Sequence, residues 1–393
     1  MRLRTWTASR HQRACLGIGV VATLVVAIAG SADLSHALAA WLFAWLSVLG
    51  IALGALANVM IHELTGGEWG FVIRRPLESA MGTLPVVALL GVPLAFGLPH
   101  LYPWAASHAD DTLLAAKAWY LDAPFFIVRA LGYFAIWIAL ATAMRRQWRR
   151  HRSNATRAGE PALRALSIAG LILYALTMTL AAVDWIMSLA RDWYSTGFGL
   201  LVLTSQALGA FAFAVAVSAV TGAMRGANAV ADASNDAMVE RPNPARDAQD
   251  LGNILLMYVM MWAYLAFTQF LIIWAEDLPS EIGWYVTRAT PHWKALAIVV
   301  LLLQFVAPFV AMLFRGFKCD PARLGALCAV VLLAHVLQIA WQVLPPFAGL
   351  PAWIAVLALI AVGALWLCAF LTVDANATPL AVTVSPRIAA DHG

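Results

Sequence analysis

The groups in this chain that could do chemistry are few, and most stand inside long apolar runs. Asp184 lies in the stretch Ala182 to Ser188, with Thr177 and Ser188 on the same helical stripe. His335 is followed three and seven positions later by Gln338 and Gln342, and Gln206, Gln269 and Gln304 lie in runs of their own. An ionisable side chain in hydrocarbon is costly, so each one marks either a site or an internal pairing. Asp184 suits a proton-carrying carboxylate, or a structural one hydrogen-bonded where helices meet. His335 suits proton transfer, haem ligation or a hydrogen bond to a quinone oxygen, or else packing with a bond to a neighbouring backbone. The glutamines suit interhelical hydrogen bonds, each worth about 0.6–2 kcal/mol. By depth, Asp184, Gln206, Gln269, His335 and Gln338 all map to the middle or outer half of their runs. The expectation is one hydrated cluster, open outward, that could carry protons. Arg129, one turn inside its run, either pairs with such a carboxylate or snorkels to the headgroups. A second candidate, a quinone site, would draw on Trp262, Tyr264, Gln269 and His335 for a stacking aromatic and a donor to the carbonyl.

Other chemistries lack their residues. The four cysteines, Cys15, Cys319, Cys328 and Cys368, form no CxxC or CxxCH pair, so the usual signals for zinc, iron–sulfur and covalent haem are missing. Di-haem ligation is also disfavoured: His62 sits at the wrong depth to pair with His335, and His100, His108 and His292 fall in or beside outer loops. No cofactor is expected on this chain itself. Basic residues do not interleave with stacking aromatics, which removes support for nucleic-acid binding.

The elements that must carry these groups follow from composition. Hydrophobic residues make up 62% and charged residues 12% of the chain, against about 25% charged in a soluble domain. About ten apolar runs are each long enough for a bilayer crossing, which takes roughly 20 residues, near 14–31, 37–61, 80–99, 124–144, 164–189, 195–223, 250–275, 292–314, 322–344 and 349–373. The fold class is therefore an all-α integral membrane protein with about ten transmembrane helices. If the runs alternate, Arg2, Arg4, Arg10, Arg13, Arg74, Arg75, the arginines from Arg145 to Arg164, Arg225, Arg241, Arg246, Arg315, Lys318 and Arg323 share one side. The other side carries Asp33, Asp110, Asp111, Asp122, Asp192, Glu276, Asp277 and Glu281. The positive-inside rule then puts both termini in the cytoplasm. The first run also fits a cleaved signal peptide, with small residues near Ser35 to Ala37. The domain reading is residues 1–13 as a cytoplasmic start, 14–224 as six spans, 225–249 as a polar connection, 250–373 as four spans and 374–393 as a disordered tail. Several tryptophans, among them Trp69, Trp104, Trp119, Trp193, Trp284, Trp293 and Trp341, fall near run ends and read mostly as an aromatic belt.

One stretch stands apart. From Leu251 to Ala275 the chain is uncharged, yet Tyr258, Trp262, Gln269 and Glu276 fall on one stripe of a helix. A lipid-facing helix has no use for such a stripe; a helix packed in a bundle or lining a polar path does.

Two segments carry a family resemblance. The first holds Asp184, Trp185, Met187, Ser188, Leu189, Trp193, Ser195, Thr196 and Gly199. The second holds Asp250, Leu251, Gly252, Trp262, Ala263, Tyr264, Phe267, Gln269, Leu271, Ile272, Ile273, Trp274, Leu278, Pro279, Glu281, Trp284, Tyr285 and Arg288. Together they resemble signature motifs of the F-type integral membrane subunit of alternative complex III, a bacterial quinol:electron-acceptor oxidoreductase. That subunit is related to the NrfD/polysulfide-reductase membrane anchors. The resemblance implies two four-helix bundles with peripheral helices. It implies a place in a bacterial inner membrane beside a C-type quinol-oxidising subunit, a multihaem cytochrome and iron–sulfur proteins. Quinol would sit, if anywhere, at a partner interface, and this chain would contribute assembly surface and part of a proton path. One departure is local: Ala190, Arg191 and Asp192 stand where the family often has His or Pro–His. A stand-alone transporter remains a third reading, one that needs broken helices at matched depths in two repeats. The interruptions visible in the sequence are Pro85 and Pro93 in the third run and Pro308 in the eighth.

Overall fold

The fold is taken from a computed structural model, which describes residues 2–106, 119–154, 160–190, 193–222, 224 and 244–376. His108, Asp110, Asp111, Arg157, Asp192, most of the 225–249 connection and the tail beyond 376 lie outside the described residues. Among those described, every regular element is helical, and ten helical stretches are long and apolar enough to cross a membrane.

In chain order the helices are α1 (Arg2–Gly30), α2 (Leu34–Thr65), α3 (Trp69–Met81), α4 (Leu84–Leu90), α5 (Val92–Phe96), α6 (Leu98–Leu101), α7 (Ala123–Asn154), α8 (Glu160–Trp185), α9 (Phe198–Val220), α10 (Pro244–Glu276), α11 (Pro279–Thr287), α12 (Pro291–Leu301), α13 (Ala307–Leu313), α14 (Arg315–Lys318), α15 (Pro321–Val343) and α16 (Ala352–Ala375). A π-helical turn, Leu302–Val306, joins α12 to α13, and a 3-10 turn, Met187–Leu189, follows α8. All ten expected spans are present. Their ends differ where helices run past the apolar core: α1 begins at Arg2, α10 at Pro244, and α16 continues through Asp374.

The third span differs most. The sequence reading starts it near residue 80, because Arg74, Arg75 and Glu78 interrupt the apolar pattern. In the structure it starts at Trp69 and breaks into α3, α4 and α5, with Pro85 and Pro93 opening the short helices. A broken helix in hydrocarbon leaves carbonyls that must be satisfied from within the protein. Indole N–H groups do this: Trp41 donates to Leu90 O at 2.8 Å and Trp45 to Val87 O at 2.7 Å. Trp366 donates to the Thr83 hydroxyl at 2.8 Å.

α2 is the central helix, fully enclosed over its membrane-spanning window, and it packs chiefly on α9, α16 and α3. Glycine permits the closest approach. A Cβ at Gly54 would lie 1.9 Å from the backbone oxygen of Gln206, so α2 and α9 meet backbone to backbone. α1 lies against α16 in the same manner, with Gly19 over Leu365.

One end of the bundle is rich in arginine. Arg75 makes a two-toothed bond to Asp374, 2.8 Å to each oxygen, which ties α3 to the last turn of α16. Buried Arg74 bonds both Glu63 and Glu78, and its guanidinium lies 3.9 Å from the Trp148 ring centroid. The residues around Asp374 therefore form part of the helical body rather than the start of a tail.

Candidate functional site

The five candidates for a proton path separate into three groups. The first is Asp184, in the last turn of α8 and 0% exposed. Arg129 on α7 reaches it with two parallel bonds, Nε to Oδ2 at 3.0 Å and Nη2 to Oδ1 at 2.9 Å. Tyr133, one turn along α7, donates its hydroxyl to Oδ2 at 2.9 Å. Arg129 also donates to Tyr120 O at 2.7 Å, and its guanidinium lies 3.9 Å from the Tyr120 ring centroid. Ser188 donates its hydroxyl to the Asp184 backbone oxygen. Burial, with the Asp184 charge adding to it, pushes the Tyr120 phenol up to about 12. Of the two expectations for Arg129, pairing is what the structure shows. A carboxylate holding three charge-assisted or phenolic bonds with no exposed surface is a fixed charge that ties α7 to α8. Tyr133 packs among Trp137 and Trp185, an aromatic layer beneath the pair.

The second group is in the core, where α2, α8, α9, α10, α12 and α15 converge. Tyr174 on α8 donates to Gln206 Oε1 at 2.8 Å, and the Gln206 amide faces the Met178 sulfur at 3.4 Å. Ser205 donates to Gln338 Oε1 at 2.8 Å. Gln304 projects from the π-helical turn. In one amide orientation it donates to Gln338 Oε1 at 2.7 Å; in the other its oxygen accepts from Trp262 Nε1 at 3.0 Å. Pro308, four residues on, lacks the N–H that would bond the Gln304 carbonyl, which favours the wider turn. Tyr258 donates to Asn58 Oδ1 at 2.9 Å, and Asn58 donates to Gly54 O and Ala207 O.

His335 stands in the middle of this group, 2% exposed, with the backbones of Ser47 and Ser205 facing its ring at geometry looser than a full hydrogen bond. The ring is clamped between two glycines. A Cβ at Gly50 would lie 3.0 Å from its Nε2, and one at Gly209 2.7 Å from its Nδ1. Gly50 also touches the Gln206 stem, so Gln206 and His335 are neighbours across it.

The third group holds Gln269, at the far end of α10, beside the Tyr285 hydroxyl of α11. Next to it Arg288 is 4% exposed and donates to three backbone carbonyls: Trp284 O at 2.7 Å, Trp341 O at 2.9 Å and Gln342 O at 2.6 Å. Those carbonyls belong to the last turns of α11 and α15, where the helix dipoles are negative, so two helix ends stand in for a carboxylate. The guanidinium lies 3.6 Å from the Trp284 ring centroid. Burial pushes Arg288 down to about 9, which still leaves it charged at neutral pH.

The expected single cluster is thus not formed. Gln206, His335 and Gln338 come together, whereas Asp184 is bound to Arg129 and Tyr133, and Gln269 lies apart beside Tyr285 with its amide oxygen unpaired among the described residues. Nor does the quinone set converge. Trp262 serves Gln304 in the core, and Tyr264 is 64% exposed on the opposite side of α10. The α10 stripe itself is real for Tyr258, Trp262 and Gln269, which are buried, while Glu276 is exposed. Trp69, Trp104, Trp193 and Trp284 are buried rather than forming a belt; Trp119 is exposed. No group of three or more metal-ligating side chains occurs among the described residues. Sequence reasoning did not single out Tyr133, Tyr174 or Asn58. Thr177 stands at helical spacing from Asp184, but Tyr174, ten positions before it, lies about 80° off that stripe and carries no such signal.

No known family model matches the chain, and no curated protein matches it.

Proposed function

We propose that the chain is a non-catalytic membrane subunit of a quinol-oxidising respiratory complex. It would sit beside a C-type quinol-oxidising subunit, a multihaem cytochrome and iron–sulfur proteins in a bacterial inner membrane, with both ends cytoplasmic. One observation carries most of the support. The two segments that bear the resemblance pack on each other: Trp193 of the first stacks on Trp284 of the second, centroids 4.7 Å apart and planes 17° from parallel. Residues far apart in sequence but alike in resemblance share one structural unit, as a functional signature would require. Extraction of native membranes in mild detergent tests the reading. The chain should copurify with haem- and iron–sulfur-bearing partners, and recovery of the chain alone would overturn it.

Within that role, proton conduction is best supported around His335, Gln206 and Tyr174. His335 is a buried titratable group that faces the Ser47 and Ser205 backbones and no charged partner, whereas Asp184 is paired with Arg129. His335→Ala should then slow proton-coupled turnover in an assembled complex; unchanged proton stoichiometry would leave the subunit a scaffold. The transporter reading has less support. The interrupted spans are the third and the eighth, which hold different places within spans two to five and six to nine.

A further inference from the structure

Two of the chain's four cysteines, Cys15 and Cys368, stand where α1 lies against α16. α1 meets the bundle along one stripe, Cys15, Gly19, Ala22 and Val26, at helical spacing. Its other faces are apolar and exposed at Leu16, Val21, Leu24 and Ile28. The closest approach is at Gly19, where a Cβ would lie 2.7 Å from Leu365 Cγ and 3.1 Å from the Leu365 backbone nitrogen. The two helices run antiparallel. α1 ends beside the start of α2, where Gly30 meets Ala37, whereas α16 ends with Asp374 beside Arg75. Cys15 is four residues before Gly19, and Cys368 is three residues after Leu365. Both thiols therefore lie toward the arginine-rich end, about 6 Å and about 4.5 Å along their helices from the glycine contact. They are rotated from that contact by about 40° and about 60°, so each stays on the side of its helix that faces the other. In agreement, Cys368 lies within electrostatic range of Cys15, and both are part-exposed.

We infer that Cys15 and Cys368 form a dithiol that hydrogen peroxide converts to a disulfide, fastening α1 to α16. A disulfide needs Cα atoms about 4.4–6.8 Å apart, which only closely packed helices offer. The glycine contact one turn away supplies that approach. α16 and α2, the helices on which α1 packs, hold no other thiol. The step balances between two thiols and one peroxide. The first sulfur attacks the O–O bond and becomes a sulfenic acid, and its proton leaves with the displaced hydroxide as water. The second sulfur then attacks the sulfenic sulfur. An S–S bond forms, and the sulfenic hydroxyl leaves with the second thiol proton as another water. Two electrons pass from sulfur to oxygen. Helices in lipid have no hydrophobic drive to associate, so α1 otherwise holds to the bundle through its packed stripe; the bond makes that attachment covalent.

Counting thiols tests the assignment. Full-length protein in native membranes is exposed to hydrogen peroxide and denatured in dodecyl sulfate without reductant. A maleimide-linked polyethylene glycol then reports free thiols as shifts on a gel. The count should fall from four to two and return to four with dithiothreitol. Mass spectrometry of the proteolysed chain should show the Cys15 and Cys368 peptides joined, lighter by two hydrogens than their sum. Cys15→Ser and Cys368→Ser should each hold the count at three, before and after peroxide. Gly19→Leu wedges α1 away from α16 without touching a thiol, and it should slow joining about tenfold or more. Joined peptides of any other pair, dimers on the non-reducing gel, or a count that stays at four would each overturn the assignment. So would a fall that dithiothreitol does not reverse, or an unchanged rate in Gly19→Leu.

Discussion

Replacing Asp184 and Arg129 separately and together distinguishes a proton carrier from a structural tie. Their side chains are 1% and 9% exposed, and two parallel bonds at 2.9 and 3.0 Å join them. Asp184→Leu alone leaves the guanidinium buried without its counter-charge, and Arg129→Met alone leaves the carboxylate in the same state. Breaking a buried pair from one side costs about 3–5 kcal/mol. If the two losses were independent, the double variant would lose about 6–10 kcal/mol. Removing both charges also removes both desolvation penalties, and such apolar replacements are often close to neutral. Tyr133 loses its acceptor wherever Asp184 is replaced, in Asp184→Leu and in the double variant, which adds about 1–3 kcal/mol for a phenol left unsatisfied. The double variant should therefore lie no more than about 3 kcal/mol below the native protein, with a coupling of roughly 3 kcal/mol or more. The assay is reversible unfolding of purified protein in mixed micelles, titrated with dodecyl sulfate and read by tryptophan emission. Single losses under about 1 kcal/mol, or losses that simply add, would refute the reasoning. In that event Asp184 would be an accessible carboxylate, and proton transfer through it would regain its place.

Three further outcomes follow from the same geometry. Gly209→Ala, whose Cβ would fall 2.7 Å from the His335 ring, should cost about 1–3 kcal/mol by overpacking; His335→Ala should remove most of that penalty, and an equal penalty in both backgrounds would contradict the clamp. Arg288→Lys replaces three separated nitrogens, each serving one carbonyl, with three N–H groups on one nitrogen, which cannot reach all three carbonyls at once. A loss of about 2–4 kcal/mol, with red-shifted emission from Trp284 and Trp341, is expected on unfolding titration; native stability in the lysine variant would show that the helix ends need no cap. Burial pushes Tyr120 and Tyr285 each up to about 12, against about 10 for an unfolded tyrosine. The unfolded chain thus releases these protons first. Their contribution to stability is intact below pH 10 and is lost as pH rises from about 10 to about 12. Phenolate absorbance in Tyr120→Phe and Tyr285→Phe, compared with the native protein, checks this; loss of a component titrating near pH 10 in either variant would contradict it.

How far the sequence carries depends on what each residue reports. Length and apolarity speak directly to bilayer crossing, so all ten spans are legible, and so is the buried stripe of Tyr258, Trp262 and Gln269. α3 is missed because Arg74, Arg75 and Glu78 look solvated in sequence. In the structure Arg74 is buried between Glu63 and Glu78, and Arg75 is spent on Asp374. An ion pair hides its own charge from a hydropathy reading. Two of the partners, Glu63 and Asp374, lie on other helices, the second 299 positions from Arg75.

The division of the polar residues into three groups has a related cause. Sequence position within a span reports depth, and at that level Asp184, Gln206, Gln269, His335 and Gln338 agree. It does not report which helix stands beside which, or at what rotation. Those are set by small residues, because without a hydrophobic drive between helices in lipid, close packing decides the neighbours. Gly54 lets α2 reach the Gln206 backbone, and Gly50 and Gly209 open the slot that His335 fills. With α2 and α9 so close, α8 and α15 are held on either side of them. Tyr174 then meets Gln206, His335 enters from the other flank, and Asp184 is left to α7. The polar side chains name what the core can do, but three glycines decide which of them can do it together.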